Sequence, residues 1–142
     1  MQNPQDAQNA QRQMLYQLQY LRQQEEMFQN QLDIVNASLR NLNNTKITVK
    51  NLKDVKDGEE ILVPIGGMLE LKANIKEPQN VLLYVSNDVV IEKNLEDSIE
   101  FIDKLIEQHK EQLEFLQEQT QKIKQNLQGL TQTLQRGFSP GQ

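Results

Sequence analysis

The sequence predicts an α+β protein, a long antiparallel two-helix coiled coil with two β-hairpins between the helices. Three observations carry this. Apolar residues recur at alternating steps of four and three over both ends of the chain. Between those stretches the period drops to two. The composition is also thin for a deep core, with 37% apolar and 5% aromatic residues in 142. Regular spacing separates this shortage from disorder. A two-helix coil buries one seam and leaves the rest of each helix wet.

Residues 1–12 are rich in Gln and Asn and are expected to form a disordered tail. The first seam runs Met14, Leu18, Leu21, Glu25, Phe28, Leu32, Val35, Leu39 and Leu42. It predicts a helix over 13–50, roughly 45–50 Å long. Residues 43–58 are rich in Asn, Lys and Asp, with a weak boundary at Asn43–Thr45 and a turn at Asp57-Gly58.

The region 59–93 is expected to hold the two hairpins. Glu60–Ile65 is a short apolar run, and Gly66-Gly67 signals a two-residue turn because both positions tolerate positive φ. Over 68–75, Leu69, Leu71, Ala73 and Ile75 alternate with polar residues. Val81–Val85 is a third strand, Ser86-Asn87-Asp88 a turn, and Val89–Lys93 a fourth strand leading into the second helix.

The second seam runs Leu95, Ile99, Ile102, Ile106, His109, Leu113, Leu116, Thr120, Ile123, Leu127, Leu130 and Leu134. It predicts a helix over 94–136 of roughly 60–65 Å. Asn94 is the expected N-cap, with Asp97 three residues on. Gly137 and Ser139-Pro140-Gly141 mark the stop and open a tail over 137–142. The hairpins return the chain, so the helices are expected to pair antiparallel.

Several function classes are disfavoured. The net charge is −5 and no basic run stands out, which argues against a phosphate backbone as partner. No apolar run approaches the roughly 20 residues of a membrane span, and Met1–Arg12 has no apolar core of a secretory signal. There is one histidine and no cysteine, so no thiolate metal site or disulfide is available, and the cytoplasm is the default compartment. No catalytic, cofactor or metal residues are assigned. Gly66-Gly67 lacks the spacing and lysine of a phosphate loop.

Three interaction features remain. If Leu39 faces Leu95, Glu25 faces His109, since each lies 14 residues further out; a pair there would fix the coil's register. A shift of one layer would set Glu25 against Leu113 instead. The first and third strands are apolar on both faces, with Leu62 and Pro64 between Ile61, Val63 and Ile65, and Leu82 and Tyr84 between Val81, Leu83 and Val85. Two hairpins cannot cover that surface, so completion by other subunits is expected, through strand addition or a shared barrel. At the helix ends, Leu15, Tyr16 and Tyr20 fall off the seam, and Gly129 weakens the second helix. Such an end can grip unfolded chains or simply fray, and composition does not choose between the two.

The order of heptad helix, Ile61-Leu-Val-Pro-Ile-Gly-Gly67, Val81-Leu-Leu-Tyr-Val85 and Val89-Val-Ile-Glu-Lys-Asn-Leu-Glu-Asp-Ser-Ile-Glu-Phe101 resembles the prefoldin alpha-class subunits over residues 14–136. Two hairpins favour the alpha class over the beta class. Ser86, Asn87 and Asp88 stand where many relatives carry glycine. The resemblance implies an ATP-independent holdase chaperone, in an alpha2-beta4 hexamer with beta-class subunits, whose hairpins build a β-barrel platform. Its coiled-coil tips would hold unfolded proteins and deliver them to a group II chaperonin. A coiled-coil scaffold or a filament-forming relative is the alternative. Carried over by position, the oligomer interface comprises Ile61, Val63, Ile65, Leu69, Leu71, Val81, Leu83, Val85, Val89 and Ile91. Client binding falls on Met14, Leu15, Leu18, Leu127, Leu130, Leu134 and Phe138.

Overall fold

The computed structural model describes residues 3–137. The chain runs α1 (Pro4–Asn51), a short 3-10 turn (Leu52–Asp54), β1 (Glu60–Pro64), β2 (Glu70–Asn74), β3 (Asn80–Ser86), β4 (Val89–Asn94) and α2 (Leu95–Gly137). In chain order, two small antiparallel hairpins thus lie between two long helices. The residues group into two units: Leu39–Gln108, with the hairpins and adjoining helix ends, and the remainder of both helices.

In the second of these units α1 begins nine residues before the predicted start at 13. The expected tail is helical from Pro4 because the chain carries a start signal that has no apolar periodicity. Asn3 Oδ1 accepts a hydrogen bond from the Gln5 N–H at 3.4 Å, its carbonyl accepts from Asp6 at 3.0 Å, and Pro4 occupies the first helical position. Ala7 and Gln11 continue the seam inward to Met14 at steps of four and three. The buried apolar residues of this unit are Leu32, Val35, Leu116 and Ile123. Thr120 is buried with them and satisfies its hydroxyl by donating to the Leu116 carbonyl at 2.8 Å.

In the unit Leu39–Gln108, α1 passes through Asn43–Thr45 without a break. The polar side chains there serve the helix. Asn43 Nδ2 donates to the Leu39 carbonyl, Thr45 Oγ1 to Asn41 and Thr48 Oγ1 to Asn44, at 2.9–3.0 Å. The seam therefore continues through Lys46 and Val49. Lys46 Nζ forms an ion pair with Asp103 of α2, which sets the level of one helix against the other. Val49, Leu95, Ile102 and Ile106 form the buried core, with Leu39, Leu42, Leu52, Val81 and Ile99 packed on it. Each such side chain, fully buried, is worth about 1.5–3 kcal/mol.

The first hairpin is pinned at its base. Gly58 donates to the Ile75 carbonyl and Ile75 to the Glu59 carbonyl, both at 2.8 Å, while Asp57 Oδ1 accepts from the Glu77 N–H at 2.9 Å. Gly58 takes φ +85°, open to glycine without strain. At the hairpin's other end the two-residue turn expected at Gly66-Gly67 is not formed. The Ile65 N–H donates to the Leu69 carbonyl at 3.0 Å, so three residues, Gly66 to Met68, make the loop. Only Gly66 among them adopts a positive φ. The second hairpin closes over Asn87-Asp88, with a bulge between Tyr84 and Ser86.

The junction into α2 follows its predicted chemistry. Asn94 Oδ1 accepts from the Asp97 N–H at 2.8 Å, and buried Ser98 donates its hydroxyl to the Asn94 carbonyl at 2.7 Å. Lys93, just before it, places its ammonium 5.4 Å from the centroid of the Phe101 ring.

Candidate functional site

Antiparallel partners share a face, so register decides which strand residues point together. In the first hairpin Ile61 pairs with Ala73 and Val63 with Leu71, while Leu62 pairs with Lys72 and Pro64 with Glu70. Every β1 residue is exposed, as are Ile65, Leu69 and Leu71. Both faces of this hairpin therefore present apolar side chains to solvent.

In the second hairpin the two faces differ. Leu83 pairs with Ile91 and Val81 with Lys93; all four are half-buried, and Val81 packs on the helix core. The opposite face carries Leu82 at 70% exposure, Tyr84 at 72% and Val90. Val85 and Val89 are exposed near the turn. Val81, Leu83 and Ile91, assigned to the oligomer interface, are thus partly covered by their own chain. Leu62, Met68, Leu82, Tyr84 and Val90 are more open and were left out of that assignment. The apolar two-faced strands gave the signal for Leu62, Leu82 and Tyr84. Alternation alone does not say which face meets the helices. The β1–β2 and β3–β4 sheets are not joined, so each strand keeps one unpaired edge.

The helix ends form a different kind of surface. Met14 sits half-buried in a groove with Ala7, Ala10, Gln11, Thr133, Leu134 and Gly137. Leu21 shares a second shallow groove with Gln17, Gln125, Asn126, Gly129, Leu130 and Thr133. The helices run antiparallel here. Leu18, Leu127, Leu130 and Leu134 are half-buried, so these expected client residues belong largely to the seam. Leu15 is 50% exposed, and Tyr16 and Tyr20 more so. Phe138, also assigned to clients, lies outside the described residues.

Glu25 and His109 are not brought together. Glu25 lines a groove with Arg22, Lys124, Leu127 and Gln128. Lys124 lies 15 residues beyond His109 on α2, roughly 22 Å of helix rise. The expected register took Leu39 as the partner of Leu95. The seam, expected to end at Leu42 within a helix over 13–50, continues through Lys46 and Val49, which moves the starting point of the count by more than a heptad.

Among the described residues no group of three or more His, Cys, Asp or Glu side chains could hold a metal ion, and no helix is long and apolar enough to cross a membrane.

The prefoldin subunit family model matches residues 21–137, which takes in both hairpins and most of both helices. Prefoldin subunit alpha of Thermofilum pendens is 27% identical over 88 residues, 62% of this chain and 68% of that protein. Prefoldin subunit alpha 1 of Thermococcus kodakarensis is 31% identical over 96 residues, 68% of this chain and 66% of that protein. The matched stretches thus span about two thirds of these relatives. Among solved structures, the filamentous prefoldin of Methanocaldococcus jannaschii superimposes with a TM-score of 0.70 at 18% identity, covering 81% of this chain and 95% of that one. The prefoldin beta subunit of Thermococcus strain KS-1 gives 0.62 at 19% identity, covering 99% and 100%. Both show the same fold. The chain belongs to the prefoldin family, and its curated relatives are alpha-class subunits.

Proposed function

We propose that the chain is an alpha-class subunit of an ATP-independent holdase, which binds unfolded proteins at its helix ends and delivers them to a group II chaperonin. The observation that carries this reading is family membership over 21–137. The placement of apolar surface supports it. Exposed Leu62, Met68, Leu82 and Tyr84 lie on the hairpins, where they suit burial against beta-class subunits in an alpha2-beta4 assembly. Exposed Leu15, Tyr16 and Tyr20 lie toward the start of α1, where an unfolded chain could reach them.

The test is suppression of aggregation. The chain, assembled with a beta-class subunit, should protect several unrelated unfolded proteins without nucleotide. Replacing Leu15, Tyr16 and Tyr20 by Ser should weaken protection and leave assembly intact. Protection of none of the unfolded proteins would favour a scaffold that holds one specific partner. The cytoplasm is the compartment this function requires.

A further inference from the structure

We propose that the helix ends of this chain select unfolded segments that are acidic as well as apolar; the inference rests on the holdase reading and names its substrate class. It comes from how charge is divided. The whole chain carries 15 cations and 20 carboxylates. Outward of Glu25 on α1 and of Glu118 on α2, the balance reverses. Those two segments hold Arg12, Arg22, Lys122, Lys124 and Arg136 against Asp6 alone. The rest of the chain then has ten cations against 19 carboxylates.

All five cations are exposed. Among the described residues none of them is in an ion pair, whereas Lys46, Lys72 and Lys104 each are. Their charge is therefore free to act on a ligand. They also stand beside the apolar surface. Arg12 and Tyr16, and Tyr16 and Tyr20, are four apart, and Leu15 is three from Arg12, so these side chains share one face of α1. Arg22 and Lys124 line the groove that holds Leu127, two cations against the one carboxylate of Glu25.

A segment bound by Leu15 and Tyr16 thus lies against Arg12 on the same face of α1, and at 0.1 M salt exposed charges act over about 10 Å. Apolar contact supplies affinity for any unfolded chain. The cations then raise the association rate of acidic segments and oppose basic ones. A nucleic acid is the other polyanion to consider. The five cations are dispersed over two helices with no run to track a backbone.

The experiment uses the full chain and two fluorescent, unstructured synthetic peptides. Their Leu, Phe and Tyr content is identical; one carries Glu where the other carries Lys. Anisotropy should show the Glu peptide bound roughly tenfold more tightly at low salt, with the gap closing as salt shortens the screening length to about 3 Å near 1 M. The variant R12E/R22E/K122E/K124E should prefer the Lys peptide, with its helical circular dichroism unchanged. Neutralising the same positions to Gln should equalise the two. Equal binding of both peptides by the unaltered chain would overturn the charge selection and leave the holdase reading standing. Binding of neither, with no protection of unfolded proteins, would sink the holdase reading itself. A thymidine homopolymer that displaces the Glu peptide at equal concentration would assign the surface to nucleic acid instead.

Discussion

Gly129 sits inside α2, where a glycine costs about 1 kcal/mol relative to alanine. Close approach of another chain segment would justify it, but a Cβ built there meets nothing within 4 Å. Gly129→Ala is therefore expected to stabilise the chain by about 1 kcal/mol, seen as a higher urea midpoint at unchanged slope. A lower midpoint would mean that the glycine serves a conformation other than the helix. Asn94 is the reverse case. Its side chain satisfies the Asp97 N–H at 2.8 Å at the point where β4 becomes α2. Asn94→Ala should cost about 1 kcal/mol, and Asn94→Asp should retain most of the cap. Equal loss in both variants would show that the β3–β4 pairing at Asn80–Asn94, and not the cap, is what the substitution disturbs.

The helices were legible because a seam of threes and fours is visible without any structure, and the strands because a period of two interrupts it. What failed was polar. Residues 4–12 have no large apolar residue before Met14, so apolar periodicity does not reveal the Asn3-Pro4 start. Asn43, Thr45 and Thr48 resemble a boundary by composition yet bond back to their own helix. The predicted end at 50 lies one residue from Asn51, but a register counted from Leu39 opposite Leu95, and not from Lys46 opposite Asp103, misplaces the expected partner of Glu25. On the hairpins the surplus of apolar surface was evident, but its sidedness was not. It depends on Val81 meeting the core of Val49, Leu95, Ile102 and Ile106. The structure therefore makes a sharper test of the assembly surface than alternation did. Lysine at Leu82 and Tyr84, on the open face of the second hairpin, should leave the helical signal intact and abolish association with a beta-class subunit. Glu92→Lys, on the same face but already charged, is the control and should reduce association far less. Undiminished association of the Leu82 and Tyr84 variant would move the interface to the strand edges.

Open edges and exposed apolar faces together set what the chain can do by itself. An isolated two-stranded hairpin is marginal in water, and here neither hairpin pairs with the other. The first is held at its base by the hydrogen bonds around Gly58, Ile75 and Asp57, the second along one face, where Val81 packs on the helix core. Met68 is 96% exposed and Leu62, Leu69 and Leu71 stand open beside it, more than a stable monomer would leave in water. The purified chain alone is therefore expected to self-associate through the hairpins in a concentration-dependent way, measured as mass by light scattering across a dilution series. Adding a beta-class subunit offers a complementary surface for the same residues. It should replace the mixed species by one of fixed mass, equal to two copies of this chain and four of the partner. Association buries the apolar faces of both hairpins at once, so amide exchange in β1 to β4 should slow on mixing while exchange at the start of α1 stays unchanged. A monodisperse monomer at every concentration, with the strand amides already protected, would mean that the hairpins are complete as they stand; fibres formed by the chain alone and insensitive to the partner would instead make self-assembly the purpose of this surface.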